Sequence, residues 1–218
     1  MSAGKRMMLI IAVMVLMIAA VPQLVFADEK DDITEKAERA VLLYMCGSDL
    51  EGSSLGTYNL RQVLSSDFSS EGKVRCIVMT GGCNKWHLDP EKELYDPSTG
   101  EAPDYLSWKK YNYIWEAMGA DAPDDKVKSK MVLLDGDGLG GDEDNPKKAD
   151  DELMSDPETL KAFIDYAAEY CPAEKYDLIL WDHGAGPMKG FGIDSHEQYN
   201  EDESYRYMSF RGDNRSDR

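Results

Sequence analysis

Positive charge is scarce in this chain. Its 218 residues carry 24 Lys and Arg against 42 Asp and Glu, a formal charge of −18. Surfaces that grip phosphate backbones concentrate Lys and Arg, so no nucleic-acid partner is expected. Histidine is also sparse, with three residues, and cysteine is limited to Cys46, Cys76, Cys83 and Cys171. The cysteine spacing is not a tight metal knuckle and lacks a convincing histidine partner. Long apolar runs are confined to the amino end. Beyond it they reach only five to seven residues, so no second membrane span is expected.

What the amino end does contain is an export pattern. Lys5 and Arg6 precede the apolar run Met7–Val21, and Pro22 and Val25-Phe26-Ala27 follow. This is the layout of a signal peptide cut after Ala27. The competing reading is an uncleaved anchor, since the run extended to Phe26 is long enough to cross a bilayer. Either places the soluble part outside the cytoplasm, secreted or membrane-anchored. Cleavage leaves 218 − 27 = 191 residues and a formal charge of −20, because the removed segment has two basic residues and no acidic one. That length suits one domain with a sizeable core and is tight for two. An exported setting permits disulfides, including a local clasp between Cys76 and Cys83, although buried thiols are the plainer reading.

Residues 28–39, DEKDDITEKAER, read as a charged leader. The run Ala40–Cys46 has strand length, and Leu55–Leu64 reads as a helix with Leu60, Val63 and Leu64 on one face. Val74–Met79 is the next strand, closed by Thr80-Gly81-Gly82, and Met131–Leu134 is another. Between Asn84 and Lys130 periodicity is weak, and a hairpin or covering insertion is expected, with Trp86, Trp108 and Trp115 packing inside it. Asp156-Pro157-Glu158 starts a helix well: Asp caps it, Pro fits its first position, and Glu suits its positive end. Leu160, Phe163, Ile164 and Ala167 carry that helix to about Tyr170, and Pro172 stops it. Tyr176–Trp181 then reads as a buried strand. Strands alternating with helices suggest an α/β domain with a mostly parallel sheet.

His183 follows the last strand directly, where polar residues of such sheets enter a site crevice. Its imidazole suits acid, base or ligand roles near neutral pH. Gly184 and Gly186 beside it let backbone N–H groups approach a substrate. These residues alone leave a structural turn histidine equally open.

The run DPETLKAFIDYAAEYCPAEKYDLILWDHGAG, residues 156–186, resembles the histidine region of the clostripain-like cysteine peptidases. AVLLYMCGSDLEGSS, residues 40–54, resembles that family's first strand and following loop. The resemblance covers most of residues 40–194, most densely at its two ends. It implies a caspase-like three-layer sandwich with a mostly parallel sheet, His183 as the catalytic histidine and Gly184 as an oxyanion-hole donor. It implies a peptide or protein substrate cut after Arg or Lys through an acyl-enzyme. In caspases the histidine lies about 50 residues before the nucleophilic cysteine. Here 218 − 183 = 35 residues follow His183, and none is Cys. The domain over residues 40–218 is therefore expected to be incomplete at its carboxyl end and inactive alone. A truncated frame, a non-catalytic exported binding or structural fragment, and assembly with a second polypeptide that supplies the cysteine half are the three accounts.

Two further motifs are weaker. The loop from Asp135 to Asp144, DGDGLGGDED, reads first as a solvated acidic turn. Asp135 and Asp137 also offer oxygen ligands for calcium, which some clostripain-like relatives require, but the EF-hand spacing fails at Leu139. The last 27 residues, from Gly192, show no closing strand or helix, and the Arg-Gly-Asp at 211–213 is too short a motif to indicate adhesion.

Overall fold

The central strand β1, Arg39–Cys46, explains most of the architecture. Its residues alternate between two buried faces. Leu42, Tyr44 and Cys46 join one apolar cluster, and Leu43 and Met45 join another. A strand apolar on both sides belongs inside a sheet covered on both faces. The computed structural model describes residues 36–68, 73–120, 127–136, 138–139, 141, 146–149, 151–184, 190–196 and 208, and shows β1 in that position. Strand β2, Val74–Gly81, pairs with it in parallel on one side, and a strand at Tyr176–Trp181 does so on the other.

The remaining strands are β3, Leu94–Tyr95, β4, Tyr113–Gly119, and β5, Ser129–Asp135, so that Tyr176–Trp181 is β6. The order across the sheet is β3-β5-β4-β2-β1-β6. Here one expectation is corrected. The sheet is mixed rather than mostly parallel, because β4 runs antiparallel to both β2 and β5. Residues 120–128 join β4 to β5, and nine residues are too few for a parallel crossover, which takes a dozen or more.

Helix α1, Leu55–Leu64, follows a short 3₁₀ turn at Leu50–Ser53 and buries Leu60 and Leu64 on one face of the sheet. A single turn, α2, spans Pro90–Glu93. Helix α3, Pro157–Tyr170, covers the opposite face, where the Phe163 ring lies 5.7 Å from that of Tyr44. Asp156 caps α3 as expected, its carboxylate accepting the Glu158 N–H at 3.0 Å.

The tryptophans pack. Trp86 and Trp115 are buried, and the ring of Trp108 lies 5.9 Å from Trp115 and 6.3 Å from Trp86. The four cysteines are free and buried, with no clasp between Cys76 and Cys83. Cys76 lies near the start of β2 and Cys83 beyond its end. At ~3.3 Å per residue the extended strand separates them by more than any disulfide spans. No helix among the described residues is long and apolar enough to cross a membrane.

Candidate active site

The parallel strands β1, β2 and β6 end side by side, and the residues just past them make the site. Pairing continues beyond the strands, because the Gly47 N–H donates to the Gly81 carbonyl at 2.8 Å and the Ser48 N–H to that of Gly82 at 3.1 Å. Ser48 adopts a positive φ of 43°, which turns the chain sharply into Asp49. From the neighbouring strand end, the His183 ring meets that loop. Its Nε2 lies 2.8 Å from Asp49 Oδ1, and about two fifths of the His183 side chain faces solvent. The hydrogen bond from His183 holds the Asp49 carboxyl below its usual range.

Beneath this pair sits Asp182. The Ser48 hydroxyl donates to Asp182 Oδ1 at 2.6 Å, and the Ile193 N–H donates to Oδ2 at 2.6 Å. Burial raises the Asp182 carboxyl's affinity for its proton, and those donors oppose the shift. Residues 190–196 lie across the strand ends. The Gly192 N–H donates to the His183 carbonyl at 3.1 Å, and the Ser195 N–H to that of Gly82 at 3.0 Å. Asp194, fully enclosed, accepts from the Met154 N–H at 2.6 Å and pairs with His196 Nδ1 at 2.8 Å. His87 likewise faces the buried carboxylate of Glu51 at 3.0 Å, so each of the chain's three histidines contacts a carboxylate.

Sequence reasoning singled out His183 and missed Asp49, Ser48, Asp182 and Asp194. The available signal was Gly47-Ser48-Asp49 directly after a strand, the same position past a sheet edge that drew attention to His183. Gly184 is exposed, and a Cβ built on it would meet nothing within 4 Å. Gly186 and Asp137 lie outside the described residues.

All four thiols are buried. Cys46 lies under the site, but its Sγ donates to the Ile193 carbonyl at 3.2 Å, and burial, then the charge of Asp182, pushes its pKa well up. Burial also pushes Cys76 and Cys83 up to about 12, and it raises Cys171. Attack needs thiolate, and these environments suppress it. The arrangement therefore offers a positioned imidazole and carboxylates above four buried thiols.

The acidic loop is elsewhere. Asp135 ends β5 at the same end of the sheet as His183, but four strand spacings separate them, about 19 Å. No group of three or more His, Cys, Asp or Glu suited to a metal occurs among the described residues. Glu152 lies close to Asp135 and was not anticipated. Its buried Oε2 has no hydrogen-bond partner, and burial holds the carboxyl at about 7, with the Lys147 charge lowering that value and Asp135 raising it. Gly138, at φ +81°, closes over it. A Cβ there would lie 2.5 Å from the Lys147 carbonyl oxygen and 2.8 Å from Glu152 Oε2, so only glycine fits.

No family model matches the chain, and neither does any curated protein. Among solved structures it is similar to a clostripain from Bacteroides thetaiotaomicron in complex with a peptide inhibitor, at 16% identity and a TM-score of 0.41 over 69% of this chain and 94% of that one. A secreted C11 cysteine protease from the same organism matches at 15% identity and a TM-score of 0.42, over 70% of this chain and 32% of that one. A secreted C11 cysteine protease from Bacteroides thetaiotaomicron in complex with an irreversible peptide inhibitor matches at 14% identity and a TM-score of 0.44, over 79% of this chain and 36% of that one.

Proposed function

We propose that this chain is the histidine-bearing part of an exported cysteine endopeptidase, with the nucleophilic thiol supplied from outside these 218 residues. The observation that carries the reading is His183 at the end of β6, braced at 2.8 Å by Asp49 from the loop after β1. Those two loops are the segments whose sequences resemble clostripain-like peptidases. In the completed site the external thiolate attacks the scissile carbonyl, and His183 gives a proton to the departing amine as the C–N bond breaks. Water then releases the acyl group. The Gly184 N–H is assigned to the developing oxyanion. Asp49, Asp182 and Asp194 make the surroundings acidic, which favours Arg or Lys before the cut.

The test starts with the DNA immediately downstream. A frame encoding Asp-Ala-Cys is expected, and co-expression of its product with the full chain should cleave an Arg or Lys reporter, with activity lost in His183→Ala. Absence of such a frame, or activity indifferent to His183→Ala, overturns the reading in favour of a non-catalytic binding or structural fragment.

Export and calcium belong to the same proposal. Amino-terminal sequencing of the secreted product should begin at Asp28, whereas retention in the membrane fraction would identify an anchor. The unpartnered Glu152 oxygen near Asp135 favours a cation at the acidic loop. Calcium should raise the melting temperature, and Glu152→Gln should remove that response. A calcium titration with neither heat nor a shift in melting excludes it.

A further inference from the structure

Asp194 lies near the site but is sealed from solvent, so it acts only through what it holds. Its carboxylate accepts the Met154 N–H at 2.6 Å and the His196 N–H at 2.8 Å, and it faces His196 Nδ1 at 2.8 Å. A buried carboxylate needs such a set of donors, because the charge has lost its water. His196 is the unusual member. Only 7% of its side chain reaches solvent, and its Nε2 has no hydrogen-bond partner. An unpaired buried nitrogen costs stability, so packing alone would favour an apolar side chain at this position. Among the described residues, the ring's hydrogen bond is to Asp194.

Asp194 fixes the segment that crosses the strand ends. Met154 ties it to the sheet, because the Tyr44 hydroxyl of β1 donates to the Met154 carbonyl at 3.0 Å. The two residues before Asp194 then reach the site through their backbone. The Ile193 N–H donates to Asp182 Oδ2, and the Gly192 N–H donates to the His183 carbonyl. Asp182 also takes the hydroxyl of Ser48, the neighbour of Asp49. Hydrogen bonds therefore run from the core to both loops that carry the Asp49–His183 pair.

We propose that Asp194, seated by His196, is a positioning residue that sets the Asp49–His183 geometry through Ile193, Gly192 and Asp182. It touches no substrate and no reacting atom. Calling His183 catalytic rests on the proposed function, but the positioning is read without any peptidase activity.

The test uses NMR on the full chain with labelled Asp and labelled amides. Asp194→Asn keeps the shape but can no longer accept on both sides. The Gly192 and Ile193 amides should then exchange about tenfold faster or more. The Asp49 carboxyl should rise toward the ordinary carboxylate value as its bond from His183 loosens. Loss of a nearby negative charge would by itself lower it, so the sign separates the two causes. His196→Leu removes the unpaired nitrogen and keeps the bulk. It should produce the same two changes even if its melting temperature is unaltered, and it carries the test if Asp194→Asn does not fold. His196→Asn puts an amide nitrogen where Nδ1 stood and should restore both readings. Asp96→Asn, at a buried carboxylate beside β3 on the opposite edge of the sheet, should change neither. Unaltered exchange and Asp49 titration in His196→Leu overturn the proposal, and so do equal changes in Asp96→Asn. In the proposed complementation, Asp194→Asn should lower kcat by about tenfold or more and leave KM within about twofold. Both NMR changes without any reporter cleavage would sustain the positioning and reject the catalytic reading.

Discussion

Asp49 and His183 are 134 positions apart in the chain and 2.8 Å apart in the fold. The contact is exposed, so it orients the imidazole more than it stabilises the protein. His183→Ala should let the Asp49 carboxyl rise toward the ordinary carboxylate value, as read by NMR of labelled Asp. The stability cost should stay below about 1 kcal/mol. Because the Asp49 pKa is lowered in the fold, that contribution exists above the unfolded carboxylate value and disappears as pH falls through the folded one. Urea denaturation of wild type and variant should therefore converge in strong acid.

Buried thiols make a second expectation. The native chain should react slowly with a thiol reagent and release all four equivalents only in denaturant. Under the same native conditions it should not cleave an Arg or Lys reporter above the buffer rate. Fast labelling of any one cysteine, with turnover that follows its modification, would identify a nucleophile that the burial pattern denies.

Glu152 should make stability depend on pH near neutrality. Its folded pKa, about 7, lies above that of an unfolded glutamate, so its contribution is complete below the unfolded value and is lost as pH rises through about 7. The charged form costs on the order of 3 kcal/mol. In calcium-free buffer Glu152→Gln should raise the melting temperature at pH 8 and leave it nearly unchanged at pH 4.5. An equal shift at both pH values would mean that shape, not charge, decides the site.

Gly184 has space for a methyl group, unlike Gly138. Gly184→Ala should melt within a degree or two of wild type, whereas Gly138→Ala should be destabilised by ~1 kcal/mol or more. If Gly184→Ala nevertheless slows reporter cleavage in the proposed complementation, the loss comes from close approach of substrate backbone rather than from folding.

Elements could be read from sequence where apolar residues run together or recur on one face. Strand β6, expected to be buried, is instead the outer strand of the described sheet, with Tyr176, Leu178 and Ile179 exposed. Strands β1 and β2, with apolar side chains on both faces, appear as unbroken runs, and α1 and α3 show one apolar stripe each. Strand β4 was hidden, because Glu116 interrupts its apolar pattern. That carboxylate is buried in the fold against Arg75 at 2.6 Å, with Tyr170 donating at 2.9 Å, which no local pattern reveals. Missing β4 also concealed the mixed sheet. His183 was visible as a polar residue just past a strand. Asp49, Ser48 and Asp182 were not, since their roles come from loops that meet only after β1 and β6 pair. The segment around Phe191 and Met208 showed no periodicity, yet both residues are buried and bridge one another.

Pairing β1 with β6 also sets the order in which this molecule can be made. Arg39 and Asp177, bonded across that pair, are 138 residues apart, so the contact closes one of the longest loops in the described sheet. Loops of that length form late, after the local hairpin of β4 and β5 and the β1–α1–β2 unit. The imidazole therefore finds its carboxylate only when nearly the whole sheet exists. A chain halted after β5 would hold a core and lack a site, so any intermediate that accumulates during folding would be chemically silent.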